Sequence, residues 1–374
     1  MTKQNSLEIH KKLKGKLEIK SKFPLKTKQD LSLAYTPGVA EVSLEIHKDK
    51  SKVYDYTIKS NSVAVISDGS AVLGLGNIGA EASLPVMEGK AILFKEFANI
   101  DAFPICLKYQ DTQKTIETIK NIAPVFGGIN LEDFKAPECF EIEQALQDIG
   151  IPVMHDDQHG TAVVVLAGLI NALKLAKIEK PKIIINGAGA AGTAITKILH
   201  KYGFENIIVV DSKGIIHKKR ENLTQEKKQL SEITQGKQGD LTSALKNADV
   251  FIGVSKPDIL TPELIKSMNN KPIIFALANP TPEIMPDIAK KAGAFIVATG
   301  RSDFPNQINN VLAFPGIFRG ALDSGAKQIT DKMKLATAKA LANLIENPEI
   351  EKILPDPFDQ RVVLAISEAV KKNK

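Results

Sequence analysis

The sequence predicts an α/β protein of two domains, the second a doubly wound parallel sheet. Three observations carry that expectation. The chain has 374 residues, more than one ordinary core holds. From residue 182 onward, short apolar strands alternate with helical stretches. At the head of that alternation, "KIIINGAGAAG" runs an apolar strand into a glycine turn that opens a helix.

In the first half, "VAVISDG" (63–69), "AFPICL" (102–107) and "IPVMHD" (151–156) read as strands ending in polar residues, and "PVFGGIN" reads as a loop. "PECFEIEQALQDIG" (137–150) has helical periodicity and stops at a glycine. "TAVVVLAGLINALKLAKI" (161–178) is a strongly apolar helix ending in lysines, expected to lie buried between the halves. The first domain is therefore placed at 1–160 and the second at 161–374. In the second domain a helix runs to about 202. Strands follow at 206–211, 248–255, 272–280 and 294–300, with helices at 331–346 and from 360.

Composition narrows the function. Apolar residues make up 43% and charged residues 25%, as in a soluble globular protein. The lysine-rich start, "IHKKLKGKLEIKSKFPLKTK", lacks the apolar region of a secretory signal, and the longest uncharged run, "QHGTAVVVLAGLINAL", is shorter than a membrane span. A cytoplasmic protein with no membrane partner is expected. The net charge of +6 comes almost wholly from lysine, with only Arg220, Arg301, Arg319 and Arg361 besides. Aromatics are 5% and there is no Trp, so nucleic acid is not the expected partner; an anionic small substrate fits the same charge. Cys106 and Cys139 lack CxxC spacing and read as reduced thiols.

The glycine turn assigns a cofactor. Gly187 allows the tight turn, Gly189 lets a pyrophosphate approach the backbone, and Gly192 lets helix and strand pack closely. Ala190, Ala191 and Thr193 open the helix whose free N–H groups face the phosphates, and Ser255 ends a neighbouring strand; all are taken as cofactor contacts. Asp211 closes the next strand, where a carboxylate accepts from a ribose 2′-OH. That favours NAD, while Lys213 and "HKKR" (217–220) offer cations for the 2′-phosphate of NADP.

Two acidic pairs, Glu132–Asp133 and Asp156–Asp157, stand near each other in the first half. Carboxylates gathered in one cleft repel and call for a cation, and all-oxygen donors suit Mg²⁺ or Mn²⁺. For each pair alone a helix-start role is the better reading, with Asp157 capping a helix from about Thr161, and two such pairs beside a dinucleotide domain bring ligation level with it. The pattern leaves both readings open.

Several segments together resemble the malic enzymes of the short prokaryotic type. They are "LSLAYTPGVAE" (31–41), "SDGSAVLGLGNIGAEASLPVMEGKAILFK" (67–95), "NLEDFKAPECFEIE" (130–143), "HDDQHGTA" (155–162), "NGAGAAG" (186–192), "ALANPTPE" (276–283) and "FPNQINNVLAFPGIFRGALD" (304–323). The resemblance implies an amino-acid-dehydrogenase-like substrate and metal domain followed by a Rossmann-type NAD(P) domain, and a homodimer. It implies oxidative decarboxylation of L-malate to pyruvate and CO₂, with a malolactic-type decarboxylase as the alternative within the fold and a non-catalytic dinucleotide-binding sensor as the alternative outside catalysis. It makes Tyr35 the general acid, Lys90 the general base, and Glu132, Asp133 and Asp157 the metal ligands. Asn279 and Asn310 become contacts of substrate and nicotinamide, with Asn309 beside them at the cofactor. Asp156 is left to orient Lys90 or share its proton, Lys90 is expected to be lowered in pKa by a cationic neighbourhood, and His155 and His159 are expected to be bystanders. In the large eukaryotic relatives an arginine that grips malate follows "DG"; here Ser70 and Ala71 stand in that region.

Overall fold

The computed structural model describes residues 3–72 and 74–374. Four helices lead the chain: α1 (Lys3–Leu13), α2 (Lys28–Ala34), α3 (Val39–Lys48) and α4 (Val53–Tyr56). Asp30 and Thr27 form a capping box at the start of α2, so that helix is locally specified. Yet no residue of α2 or α3 is buried, and Leu31, Leu33, Val39, Val42 and Leu44 face solvent.

The first sheet follows. Its strands β1 (Ser62–Ser67), β2 (Asp101–Cys106), β3 (Gly128–Leu131) and β4 (Val153–His155) are all parallel, in the order β2-β1-β3-β4. Helices α5 (Gly79–Ala98), α6 (Thr112–Ile122) and α7 (Glu138–Ala145) connect them. Parallel strands need such crossovers, which bury both faces and make short, continuously apolar strands. β3 overlaps the segment read from sequence as a loop and runs one residue past it. Its four residues are wholly buried, but Gly127–Gly128 at its start reads as a turn signal.

Helix α8 (Asp156–Ala176) leads to the second sheet. Its apolar residues lie buried on nearly every side, as expected. It starts at Asp156 rather than near Thr161, directly from β4, and His155 at its cap position makes no side-chain capping bond. The second sheet holds β5 (Ile183–Asn186), β6 (Ile207–Asp211), β7 (Gly214–Ile215), β8 (Val250–Gly253), β9 (Ile273–Ala276) and β10 (Ile296–Thr299), in the order β10-β9-β8-β5-β6-β7. All pairs are parallel except β6–β7. The intervening helices are α9 (Ala190–Tyr202), α10 (Gln225–Ile233), α11 (Leu241–Leu245), α12 (Pro262–Lys266) and α13 (Pro286–Lys291).

The chain ends in α14 (Phe314–Ser324), α15 (Asp331–Asn343) and α16 (Arg361–Lys372). These helices return to the first half. Phe314 and Phe318 of α14 stack edge-on to Phe94 of α5, at 4.7 and 5.4 Å between ring centroids. Asn171 of α8 donates to the carbonyls of Ala342 and Ile353. One continuous apolar cluster joins α5, α8, the second sheet and the last helices.

Candidate active site

The polar ends of β3 and β4 meet at one point. Glu132 and Asp133 follow β3, Asp156 and Asp157 open α8 after β4, and α5 brings Lys90 beneath them. The carboxylate oxygens of Glu132, Asp133 and Asp157 lie within 4.8 Å of one another. The Lys90 ammonium donates to Asp156 Oδ2 at 2.5 Å and meets Glu132 Oε1 at 2.8 Å, over the Phe314 ring at 4.2 Å. Asn310, in the short turn before α14, also donates to Asp156 Oδ2, leaving Asp156 Oδ1 buried and without a hydrogen-bond partner. Gly160 makes room for that carboxylate: a Cβ there would lie 1.8 Å from Oδ1.

These contacts decide what the adjacent acids do. Neither caps α8. Asp156 turns to Lys90 and Asn310, while Asp157 Oδ2 accepts the backbone N–H of Asp133 at 2.8 Å. Asp133 holds the left-handed conformation (φ +57°), which turns the loop after β3 back toward α8. The loop is braced by the segment that follows β1. Ser70 Oγ accepts from Lys135 N at 3.0 Å, and Ala71 N donates to the carbonyl of Asp133 at 2.9 Å.

The electrostatics correct one expectation. Lys90 sits among carboxylates and not among cations. Burial opposes its charge, but Asp156 first, then Glu132 and Asp157, hold its pKa above the ordinary lysine range. Burial in turn pushes the carboxyl of Asp156 up to about 7 against the pull of Lys90, and raises Glu132 and Asp157 as well. Among the described residues the cluster sets four acids against one lysine. An acid excess with all-oxygen donors is what a hard divalent cation neutralises, so Glu132, Asp133 and Asp157 fit Mg²⁺ or Mn²⁺.

The histidines stand outside that donor set. His155 is fully buried with neither ring nitrogen hydrogen-bonded, its Nδ1 lies 3.9 Å from Asp157 Oδ2, and burial lowers its pKa to about 4, which favours the neutral ring. His159 Nε2 meets Glu143 Oε2 at 2.9 Å. Tyr35 lies between α2 and α3, exposed, and is not among the hydrogen-bond, ion-pair or ring partners of Lys90 within the described residues.

The glycine turn builds the second part of the site. A cavity of about 630 Å³ is lined by Gly187, Gly189, Asp211, Ser255 and Lys227. Gly187 has φ +124°, and a Cβ on Gly192 would lie 1.9 Å from the Gly187 carbonyl oxygen. A Cβ on Gly189 would meet nothing within 4 Å, so that backbone is open to a ligand. Asn186 holds Ser255 Oγ at 2.7 Å. Thr193 is buried on α9 and lines a different cavity. Asp211 is held at 2.8 Å by Arg220 and at 2.7 Å by Lys227, whereas Lys213 supplies only its backbone N–H. Burial works against the Asp211 charge, but Lys227 and Arg220 outweigh it and lower its pKa. Asn279, past β9, packs its carboxamide on Gly300, and Asn309 caps the turn Asn310–Leu312 by accepting from Val311 N at 3.0 Å.

Sequence reasoning missed three supports. Asn130 donates to Glu132 Oε2 at 2.8 Å, Phe314 underlies Lys90, and Glu143 holds the backbone N–H of His155 at 2.9 Å. Only Asn130, one side-chain step along the strand from Glu132, left a signal in spacing.

Comparison with known proteins bears on the family and the fold. Residues 14–147 match the family described as malic enzyme, N-terminal domain, and 158–373 match malic enzyme, NAD binding domain. The chain is 55% identical to the bifunctional malic/malolactic enzyme of Bacillus subtilis, over 99% of this chain and 92% of that one. It is 56% identical to the NAD-dependent malic enzyme of Geobacillus stearothermophilus, over 95% of this chain and 76% of that one. The crystal structure of the NAD-dependent malic enzyme from Thermotoga maritima superimposes with a TM-score of 0.96 at 52% identity, covering 99% of both chains.

Proposed function

The chain belongs to the malic enzyme family, and from that premise we propose how its own residues carry the reaction. It converts L-malate and NAD(P)⁺ to pyruvate, CO₂ and NAD(P)H, with NAD the favoured cofactor. The observation that carries the assignment of roles is Lys90, buried between Asp156 and Glu132 at the strand ends.

When bound, the nicotinamide supplies the hydride acceptor, and a divalent cation at Glu132, Asp133 and Asp157 offsets the acid excess and polarises the C2 oxygen of malate. Lys90 first passes a proton of its ammonium to Asp156 Oδ2, whose pKa burial has raised, and the neutral amine, still oriented by Asp156, then takes the proton of the C2 hydroxyl. Asn310 fixes Asp156 from the second domain and so couples domain closure to the base. Loss of CO₂ from the β-keto acid leaves enolpyruvate, which Tyr35 protonates at C3. Tyr35 rides on the arm whose apolar residues face solvent, and a homodimer that covers this arm is part of the proposal.

The assay follows NADH at 340 nm with malate and Mn²⁺, with and without chelator. Cation-dependent NADH and pyruvate are expected. The Bacillus subtilis relative is named for both activities. Lactate without NADH would replace this reading with malolactic decarboxylation.

A further inference from the structure

A second cavity, of about 470 Å³, lies among α7, α8, α9 and α15. Its charged lining is Lys197 and Lys201 of α9, Asp331 and Lys334 of α15, Glu143 of α7 and His159 of α8. None of these belongs to the acid cluster or to the glycine turn.

The charges do not balance. Lys201 and Lys334 share the single carboxylate of Asp331, Lys334 at 3.6 Å. Among the described residues Lys197 hydrogen-bonds only the neutral side chain of Gln229, at 3.1 Å, and the Glu226 carboxylate, outside the cavity lining, also acts on its charge. The other acid, Glu143, is already committed: one oxygen accepts the His155 backbone N–H, and the other accepts from Gln158 at 3.3 Å and meets His159 at 2.9 Å. Three lysines thus face two engaged carboxylates, and Lys334 is only 9% exposed. A buried ammonium without a close partner is costly, and an anion in the cavity removes that cost. Burial holds both Lys197 and Lys334 below the ordinary lysine range.

We infer that this cavity is a second binding site, for a small anion bearing a carboxylate or a phosphate, gripped by Lys197, Lys334 and His159 and felt at the acid cluster through Glu143. The link is short. Glu143 fixes the amide of His155, the residue before Asp156 and Asp157, and fixes His159 in the opening turns of α8. An anion that draws His159 and Lys334 toward itself takes partners from Glu143 and moves the start of α8, where the acids stand.

Calorimetric titration of the full chain with inorganic phosphate and, separately, with succinate tests the site and tells the two chemistries apart. At least one anion is expected to bind at one site per chain, with Lys197→Met and Lys334→Met each weakening it about tenfold or more. Lys197 is half-buried, so its variant keeps the test valid should the buried Lys334 variant misfold. The saturating anion is expected to shift the malate KM of the wild type about fivefold and to leave that of Lys197→Met unmoved. Absence of binding by both anions, binding that Lys197→Met retains, or a bound anion without effect on KM overturns the inference. The binding arm needs no turnover, so its failure is separable from failure of the malate reading, on which only the KM arm rests.

Discussion

Two clusters of charge sit at strand ends in this molecule, one in each domain, and they are opposite in sign. Beside β3 and β4, among the described residues, four acids cluster around Lys90, with Asp156 and Glu132 paired to it. At the end of β6, Asp211 faces two cations, Arg220 and Lys227. Both arise because parallel strands end together and deliver their loops to one edge of the sheet. What differs is the charge left over. An excess of carboxylate calls for a cation, and an excess of cation accommodates a phosphate. Under the proposed reading, the same acid type would serve a metal in one domain and, neutralised, a nucleotide in the other.

The largest effect expected from breaking this contrast lies in the acid cluster. Lys90→Ala and Tyr35→Phe are each expected to lower malate turnover about a thousandfold while NAD binding, read by fluorescence titration, stays intact. Wild-type kcat in either would remove that residue from the mechanism. Next comes the nucleotide cluster. Joint replacement Arg220→Ala and Lys227→Ala is expected to lower kcat/KM for NADP about a hundredfold while NAD loses far less, since only NADP brings a 2′-phosphate to the two cations. Equal losses for both cofactors would mean that the cations serve only to hold Asp211. Asn130→Ala, which frees Glu132 Oε2, is expected to weaken Mn²⁺ binding about tenfold.

The smallest effect is a pH slope. Burial pushes Asp156 up to about 7 and raises Glu132 and Asp157, so below that pH the cluster holds a proton that a cation displaces. Mn²⁺ affinity is therefore expected to rise with pH and flatten above about 7, by less than about tenfold per unit. Binding that weakens as pH rises toward 7 would reverse the sign.

The two clusters were unequally legible in the sequence. The glycine turn could be read residue by residue, because Gly187, Gly189 and Gly192 each answer a local steric demand. The acids of the first cluster could be named, but capping and ligation stayed open, because that choice depends on where α8 begins and where the side chains point. Lys90 was expected among cations; its acidic surroundings come from β3 and β4, over forty residues away along the chain. Lys227 was invisible for the same reason, since α10 carries it back to Asp211. The resemblance to a family supplied Tyr35 and Lys90, which no spacing marks out. Strand β3 escaped notice because a glycine pair outweighed four buried residues.

The claim that the acid excess is a cation site is tested most directly by titrating Mn²⁺ into the wild type and Asp157→Asn, with bound metal read by electron paramagnetic resonance. One site per chain is expected in the wild type, weakened more than about a hundredfold in the variant. Equal affinity in the two proteins would contradict the account.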